Sequence, residues 1–261
     1  MRLFAVAVIA GALLFSAPAT AKPGIQVVGG EVSQDKYQWI VSIEGTPQRG
    51  GQPAHVCGGS LIAARWVLTA AHCLDLAQSA GYPVRIGDRD AVAVKARQGI
   101  RHPAYDPLTL SNDIGLLELA EPVTGITPVA LQNFDMWETA AARTLGWGVH
   151  DNVTADGSTQ LRQADSEVIQ PASCAWAAGV FHADQMYCFS SERGSPCLFD
   201  SGGPVLSKDP ATSRWRLTAI VAGGDTYCPH GTDYPWFGIN VGQFRSWITS
   251  ITGLLHAPGP F

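Results

Sequence analysis

Apolar positions come in short bursts along this chain, and turn-forming residues interrupt them before a helical period can establish itself. The runs "YQWIVSIEG", "GSLIAARWVLTAA", "YPVRIG", "DIGLLEL", "RTLGWG", "GGPVLS", "RWRLTAIVAGG" and "WFGINV" are rich in branched and aromatic residues, and Gly, Pro, Asp and Asn punctuate the gaps. Short apolar runs bounded in this way predict strands joined by turns. One stretch near the end departs from the pattern. In "VGQFRSWITSITGLL", Phe244, Trp247, Ile248 and Ile251 mark one face at helical spacing. The prediction is an all-β body followed by a C-terminal helix, with "ALQNFDMWETAA" crossing between two halves and "HAPGPF" as a frayed tail.

Composition supports that picture and narrows the partners. The 261 residues are 46% hydrophobic, enough for a sizeable core in one large domain or two small ones. Glycine (28), proline (17) and a charged fraction of only 15% suit many short strands. The net charge of -5, with no cluster of Lys or Arg, argues against nucleic acid as a partner. At the start, Arg2, an apolar run from Leu3 to Phe15 and the small residues Ala19-Thr20-Ala21 read as a secretory signal over 1–21, cut before Lys22. The run is short for a bilayer and Pro18 follows it, and no later segment is long and apolar enough to span. An exported, soluble protein, extracellular or periplasmic, is expected.

Six cysteines in an exported chain suggest disulfides, for which 15 pairings are possible. Cys57, Cys73, Cys174, Cys188, Cys197 and Cys228 form an early and a late group, and pairing between neighbours is the simplest arrangement. Metal binding is the rival reading, and no Cys-x-x-Cys pair supports it.

Acyl transfer at a serine needs a nucleophile, an imidazole to take its proton and a buried acid to orient that imidazole. His72 in "LTAAHC", Asp113 in "SNDIGLLEL" and Ser201 in "FDSGGP" each adjoin an apolar strand-like run. Alone, each has an ordinary structural explanation. Together, and in the order His, Asp, Ser, they are far more specific. An α/β-hydrolase has another order, and no Gly-x-Ser-x-Gly elbow is present.

With "VVGG", "CGGSLIAARWVLTAAHC", "HPAYDPLTLSNDIGLLEL", "GWG" and "DSGGP" in sequence, the chain resembles the chymotrypsin/trypsin family of serine proteases. The resemblance implies two six-stranded antiparallel β-barrels packed face to face, with a C-terminal helix. The first barrel would cover 27–133 and the second barrel with its helix 134–255, leaving 256–261 as the tail. It also implies the pairs Cys57–Cys73, Cys174–Cys188 and Cys197–Cys228. The catalytic residues would be His72, Asp113 and Ser201, with the N–H groups of Phe199 and Ser201 as oxyanion hole. A freed Val27 amine would pair with Asp200 after removal of a propeptide over 22–26, and Ser195, Gly224 and Trp236 would shape the specificity pocket.

Several positions depart from the family pattern. Phe199 stands where glycine is usual. Either it holds a glycine-like backbone state, or the Leu198–Phe199 peptide turns over and points a carbonyl into the hole. Ala222-Gly223-Gly224 replaces Ser-Trp-Gly, which removes a hydrogen bond from Asp113 and widens the substrate groove. Ser195 at the pocket base gives a substrate cation no partner. An inward Trp236 indole would make the pocket shallow, whereas one packed in the core would leave it open. Gln26, where a basic residue is usual before Val27, calls for an activating protease unlike trypsin. The sequon at Asn152 and the scattered histidines His55, His102, His150, His182, His230 and His256 are discounted, and "GDRDAVAVKARQGIRHP" is shorter than the calcium loop of some relatives. The expectation is a secreted, monomeric serine endopeptidase with non-basic primary specificity. It would act on proteins or peptides with no cofactor or metal, and without binding nucleic acid or membrane. The alternative is a protease-like binding or regulatory protein with a collapsed oxyanion hole.

Overall fold

A computed structural model describes residues 28, 30–45, 54–78, 81–88, 91–149, 157–190, 192, 194–225, 228 and 234–254. The short strand β1 (Glu31–Val32) is followed by β2 (Ile40–Gly45), β3 (Ala54–Ala63), β4 (Trp66–Thr69), β5 (Pro83–Ile86), β6 (Val92–Arg101) and β7 (Gly115–Leu119). Strands β2 to β7 close into an antiparallel barrel in the order β2-β3-β4-β7-β6-β5. The second half comprises β8 (Ala141–Gly146), β9 (Arg162–Ile169), β10 (Met186–Phe189), β11 (Pro204–Lys208), β12 (Trp215–Gly223) and β13 (Trp236–Asn240). These close in the order β8-β9-β10-β13-β12-β11, with β1 added beside β9. The architecture is thus the expected pair of six-stranded barrels, and closure gives each of the strands β2 to β13 a neighbour on both sides, with β1 alone at an edge.

A core of buried residues runs across both barrels, from Leu61, Leu68 and Leu116 to Leu145, Leu217 and Ile220. A second cluster lies inside the second barrel around Phe189 and Trp236. The crossing segment is tied to both halves: the Val129 N–H donates to the Leu61 carbonyl and the Gln132 N–H to that of Leu217, each at 2.9 Å. The C-terminal helix α2 (Arg245–Thr252) ends at Gly253, whose φ of 67° closes a left-handed cap. The chain leading into α2 folds back on the first barrel. There the His102 ring meets Phe244 at 5.4 Å and Trp247 at 5.1 Å, both edge to face.

Three elements are poorly legible in the sequence. Helix α1 (Ala71–Gln78) follows β4 directly, where the apolar run continues unbroken into "LTAAHC". Strand β9 carries the buried polar residues Arg162, Gln163 and Ser166, which disguise the alternation, and β10 is only four residues long.

Candidate active site

His72 lies in the first turn of α1, just beyond the end of β4. The Cys57–Cys73 disulfide ties that turn to β3. Asp113, fully buried, precedes β7. Strands β4 and β7 are paired through Thr69 and Gly115, and this register brings the two side chains together. The Asp113 Oδ1 accepts the His72 backbone N–H at 2.9 Å, and Oδ2 lies 2.7 Å from His72 Nδ1. Among the described residues both hydrogen bonds to this carboxylate come from His72. The acceptor at Nδ1 fixes the proton there and leaves Nε2 as the free base. Burial acts to lower the His72 pKa, but the Asp113 hydrogen bond and charge, with a smaller contribution from Asp75, raise it above 6.5.

Ser201 sits between β11 and the loop pinned by the Cys197–Cys228 disulfide. Its carbonyl accepts the Gly58 N–H at 2.8 Å, which sets the loop against β3 of the first barrel. Gly202 follows at φ 75°, and a Cβ there would come within 2.2 Å of Thr69 Oγ1, so the contact between barrels requires glycine. The Ser201 hydroxyl and His72 Nε2 do not close a hydrogen bond in this conformation, as is common before a substrate tightens such a site.

Phe199 occupies the left-handed region, with φ 76°. The Leu198 carbonyl accepts the Val149 N–H at 2.9 Å. Because a trans peptide points its N–H away from its C=O, the Phe199 N–H faces away from Val149. The Phe199 carbonyl is held by His55 Nε2 at 3.0 Å, and His55 Nδ1 lies 2.8 Å from Ser42 Oγ. Both carbonyls flanking Phe199 are therefore engaged outside the hole. Strain of this kind costs roughly 1–3 kcal/mol and persists only where its surroundings over-determine it. Burial pushes the His55 pKa down to about 4, against the raising effect of its bond to the Phe199 carbonyl, so this support is neutral near pH 7.

Asp200 points the other way. Its carboxylate is buried and accepts the Gly148 N–H at 2.7 Å and the Cys197 N–H at 2.9 Å. A Cβ on Gly148 would lie 2.4 Å from the Asp200 Cγ, so glycine in "GWG" is what lets the carboxylate reach the backbone. Burial raises the Asp200 pKa to about 6, although both N–H donors oppose it. Val27, the expected partner, lies outside the described residues. Val28 is buried, and its carbonyl accepts the Ser195 N–H at 2.8 Å.

A cleft of about 290 Å³ opens beside Ser201. Pro196, Leu198, Phe199, Val221 and Gly224 line one side, Val56 and Leu76 the other, and Asp225 is the acid among them. Ser195 is buried and Trp236 is only 1% exposed, and neither belongs to this lining. The Trp236 ring stacks on Phe189 at 4.3 Å and donates to the Ser190 carbonyl, while its Cβ lies beneath Gly224. Of the two arrangements open for this indole, the structure has it packed in the core. Ala222 is buried and carries no polar group toward the site. The described residues that could group around a metal ion are Cys57, His72 and Cys73, whose sulfurs are consumed by their disulfide.

Sequence reasoning discounted His55 and passed over Ser42. They come together only because β2 pairs with β3 through a bulge between Ile43 and Glu44, and nothing in the local sequence announces that.

Comparison with known proteins places most of the chain in one family. The trypsin family model matches residues 27–248. Trypsin 5G1 of Aedes aegypti is 32% identical over 243 residues, covering 88% of this chain and 86% of that protein. Trypsin beta of Drosophila erecta is 28% identical over 234 residues, covering 85% and 87%. Two closed barrels with a serine, a histidine and a buried acid at their junction define a serine protease fold of the chymotrypsin kind. The chain belongs to the trypsin family of serine proteases.

Proposed function

We propose that this protein is a secreted serine endopeptidase of non-basic primary specificity, released from a short proform. The observation that carries the reading is the Asp113–His72 pair at 2.7 Å, set beside a serine loop whose flanking carbonyls are turned out of the oxyanion hole. Ser201 Oγ attacks the scissile carbonyl carbon while His72 Nε2 takes its proton. Asp113 stabilises the imidazolium, and the N–H groups of Phe199 and Ser201 receive the oxyanion. The tetrahedral adduct collapses as Nε2 returns the proton to the leaving amine, and water repeats the sequence to free Ser201.

Residues 1–21 act as a signal and 22–26 as a propeptide. The freed Val27 amine then pairs with Asp200, whose buried carboxylate has no cationic partner among the described residues. A largely apolar cleft supports selection of apolar or small side chains before the cleaved bond. Intact-mass measurement of the secreted protein, with and without a fluorophosphonate, tests the reading. A start at Val27 with one adduct, absent from Ser201→Ala, is expected. No adduct on a chain starting at Val27 would instead favour a protease-like binding protein. Cleavage of a peptide library after Arg or Lys would overturn the specificity.

A further inference from the structure

The segment that delivers Asp113 is strained and is held from the opposite barrel. Leu110 and Asn112, neither a glycine, have φ values of 56° and 54°, and Asp113 follows immediately. Two left-handed residues in three positions would relax in an unsupported loop. The first barrel contributes some restraint: Asn112 Nδ2 donates to the Ala104 carbonyl at 3.0 Å and to Ser111 Oγ at 2.9 Å. The Asp106 N–H also donates to the Ser111 carbonyl at 3.0 Å, and the Ile114 N–H to the Asn112 carbonyl at 2.7 Å. Further support reaches across from the second barrel. Gln185 Oε1 accepts the Asn112 backbone N–H at 2.8 Å, and Gln185 Nε2 lies 3.4 Å from Ser111 Oγ. His182 Nε2 donates to the Thr109 carbonyl at 2.8 Å. An amide N–H can only donate, so the Gln185 amide is oriented with its oxygen toward Asn112. Gln185 is itself fixed, since its carbonyl accepts the Asn240 N–H at 2.8 Å and its own N–H donates to the His182 carbonyl at 2.9 Å.

We infer that Gln185 is a positioning residue for catalysis: from the second barrel it locks the Leu110–Asn112 turn and thereby fixes the Asp113 carboxylate against His72. The inference rests on the proposed protease chemistry. It adds a residue whose hydrogen bonds go to Asn112, Ser111, His182 and Asn240 and not to His72, Asp113 or Ser201. The barrels do more than hold their residues side by side, because one barrel tunes the acid carried by the other. Displacing Asp113 lengthens its bond to Nδ1. The groups that hold the His72 proton are Asp113 and, more weakly, Asp75, so a loosened Asp113 leaves His72 easier to deprotonate.

The test uses the mature secreted protein with Gln185→Met, close in size but with no donor and only a weak thioether acceptor, and Gln185→Glu, which keeps a carboxyl-type acceptor for Asn112. Gln185→Met should lower kcat about 10- to 100-fold with little change in KM, as a small misplacement of a catalytic group does. The acid limb of its kcat/KM profile should move to lower pH, and Gln185→Glu should recover most of kcat. Proton NMR of the His72 Nδ1–H, recorded in a Ser201→Ala background, needs no turnover. Its resonance should move upfield in Gln185→Met and return in Gln185→Glu. An unmoved resonance and an unmoved acid limb in folded Gln185→Met would overturn the inference. Loss of activity in strict proportion to unfolded protein would do the same. Failure of the protease reading shows separately, as an unlabelled wild-type Ser201.

Discussion

At the residue scale the chemistry depends on what a side chain does to its own backbone. Phe199 brings a large ring to a position where only glycine rests easily, yet the hydrogen bonds at the Leu198 and Phe199 carbonyls keep φ at 76°. Phe199→Gly should therefore raise unfolding stability by about 1 kcal/mol, the strain released less the entropy glycine loses, as read by urea denaturation. Phe199→Pro removes the N–H and cannot adopt a positive φ, so it should lower kcat about 100- to 1000-fold in a peptide-hydrolysis assay. The residue types of the candidate site were legible in the sequence: the His-Asp-Ser order, the cysteines and the foreign Phe199. Which state Phe199 adopts was not, because its supports are a histidine 144 positions away and the backbone of Val149.

Elements decide where those residues point. Helix α1 carries His72, and its buried face of Ala71, Cys73, Leu74 and Ala77 holds it against the first barrel with the Cys57–Cys73 bridge. Replacing both cysteines by serine should cost about 2–4 kcal/mol of stability by thermal or chemical unfolding. Fluorophosphonate labelling should slow as well, since the bridge ends one residue from His72. Strands such as β7 and β11 announce themselves by apolar runs between turn residues. The start of α1 does not, because a helix and a strand share the same unbroken apolar run there and only the tertiary contact on one face selects between them.

At the scale of the whole molecule, pH acts on groups that the fold has buried. The proposed mechanism needs neutral His72, and its raised pKa places the acid limb of kcat/KM above that of an ordinary histidine; a limb below pH 6.5 would contradict this. In the uncut chain Asp200, raised from 3.8 to about 6, favours folding when protonated. That contribution is complete below pH 3.8 and is lost as pH rises through about 6. It amounts to something on the order of 3 kcal/mol. The precursor with Asp200→Asn should lose this pH dependence in its unfolding midpoint. His55 works in the opposite sense. It folds neutral with a pKa near 4, so its support is lost as pH falls from 6.5 through that value.

The sequence by itself determined the all-β architecture and the family, and it singled out His72, Asp113 and Ser201 as the candidate site, because turn residues, apolar runs and motif order are properties of neighbours along the chain. Tertiary structure alone decided that Trp236 packs in the core, that Phe199 keeps the strained state and that Gln185 reaches the turn before Asp113. Each of those outcomes depends on groups brought together by barrel closure and by the packing of one barrel on the other. No local pattern encodes a contact whose two partners lie on strands paired only in the folded molecule.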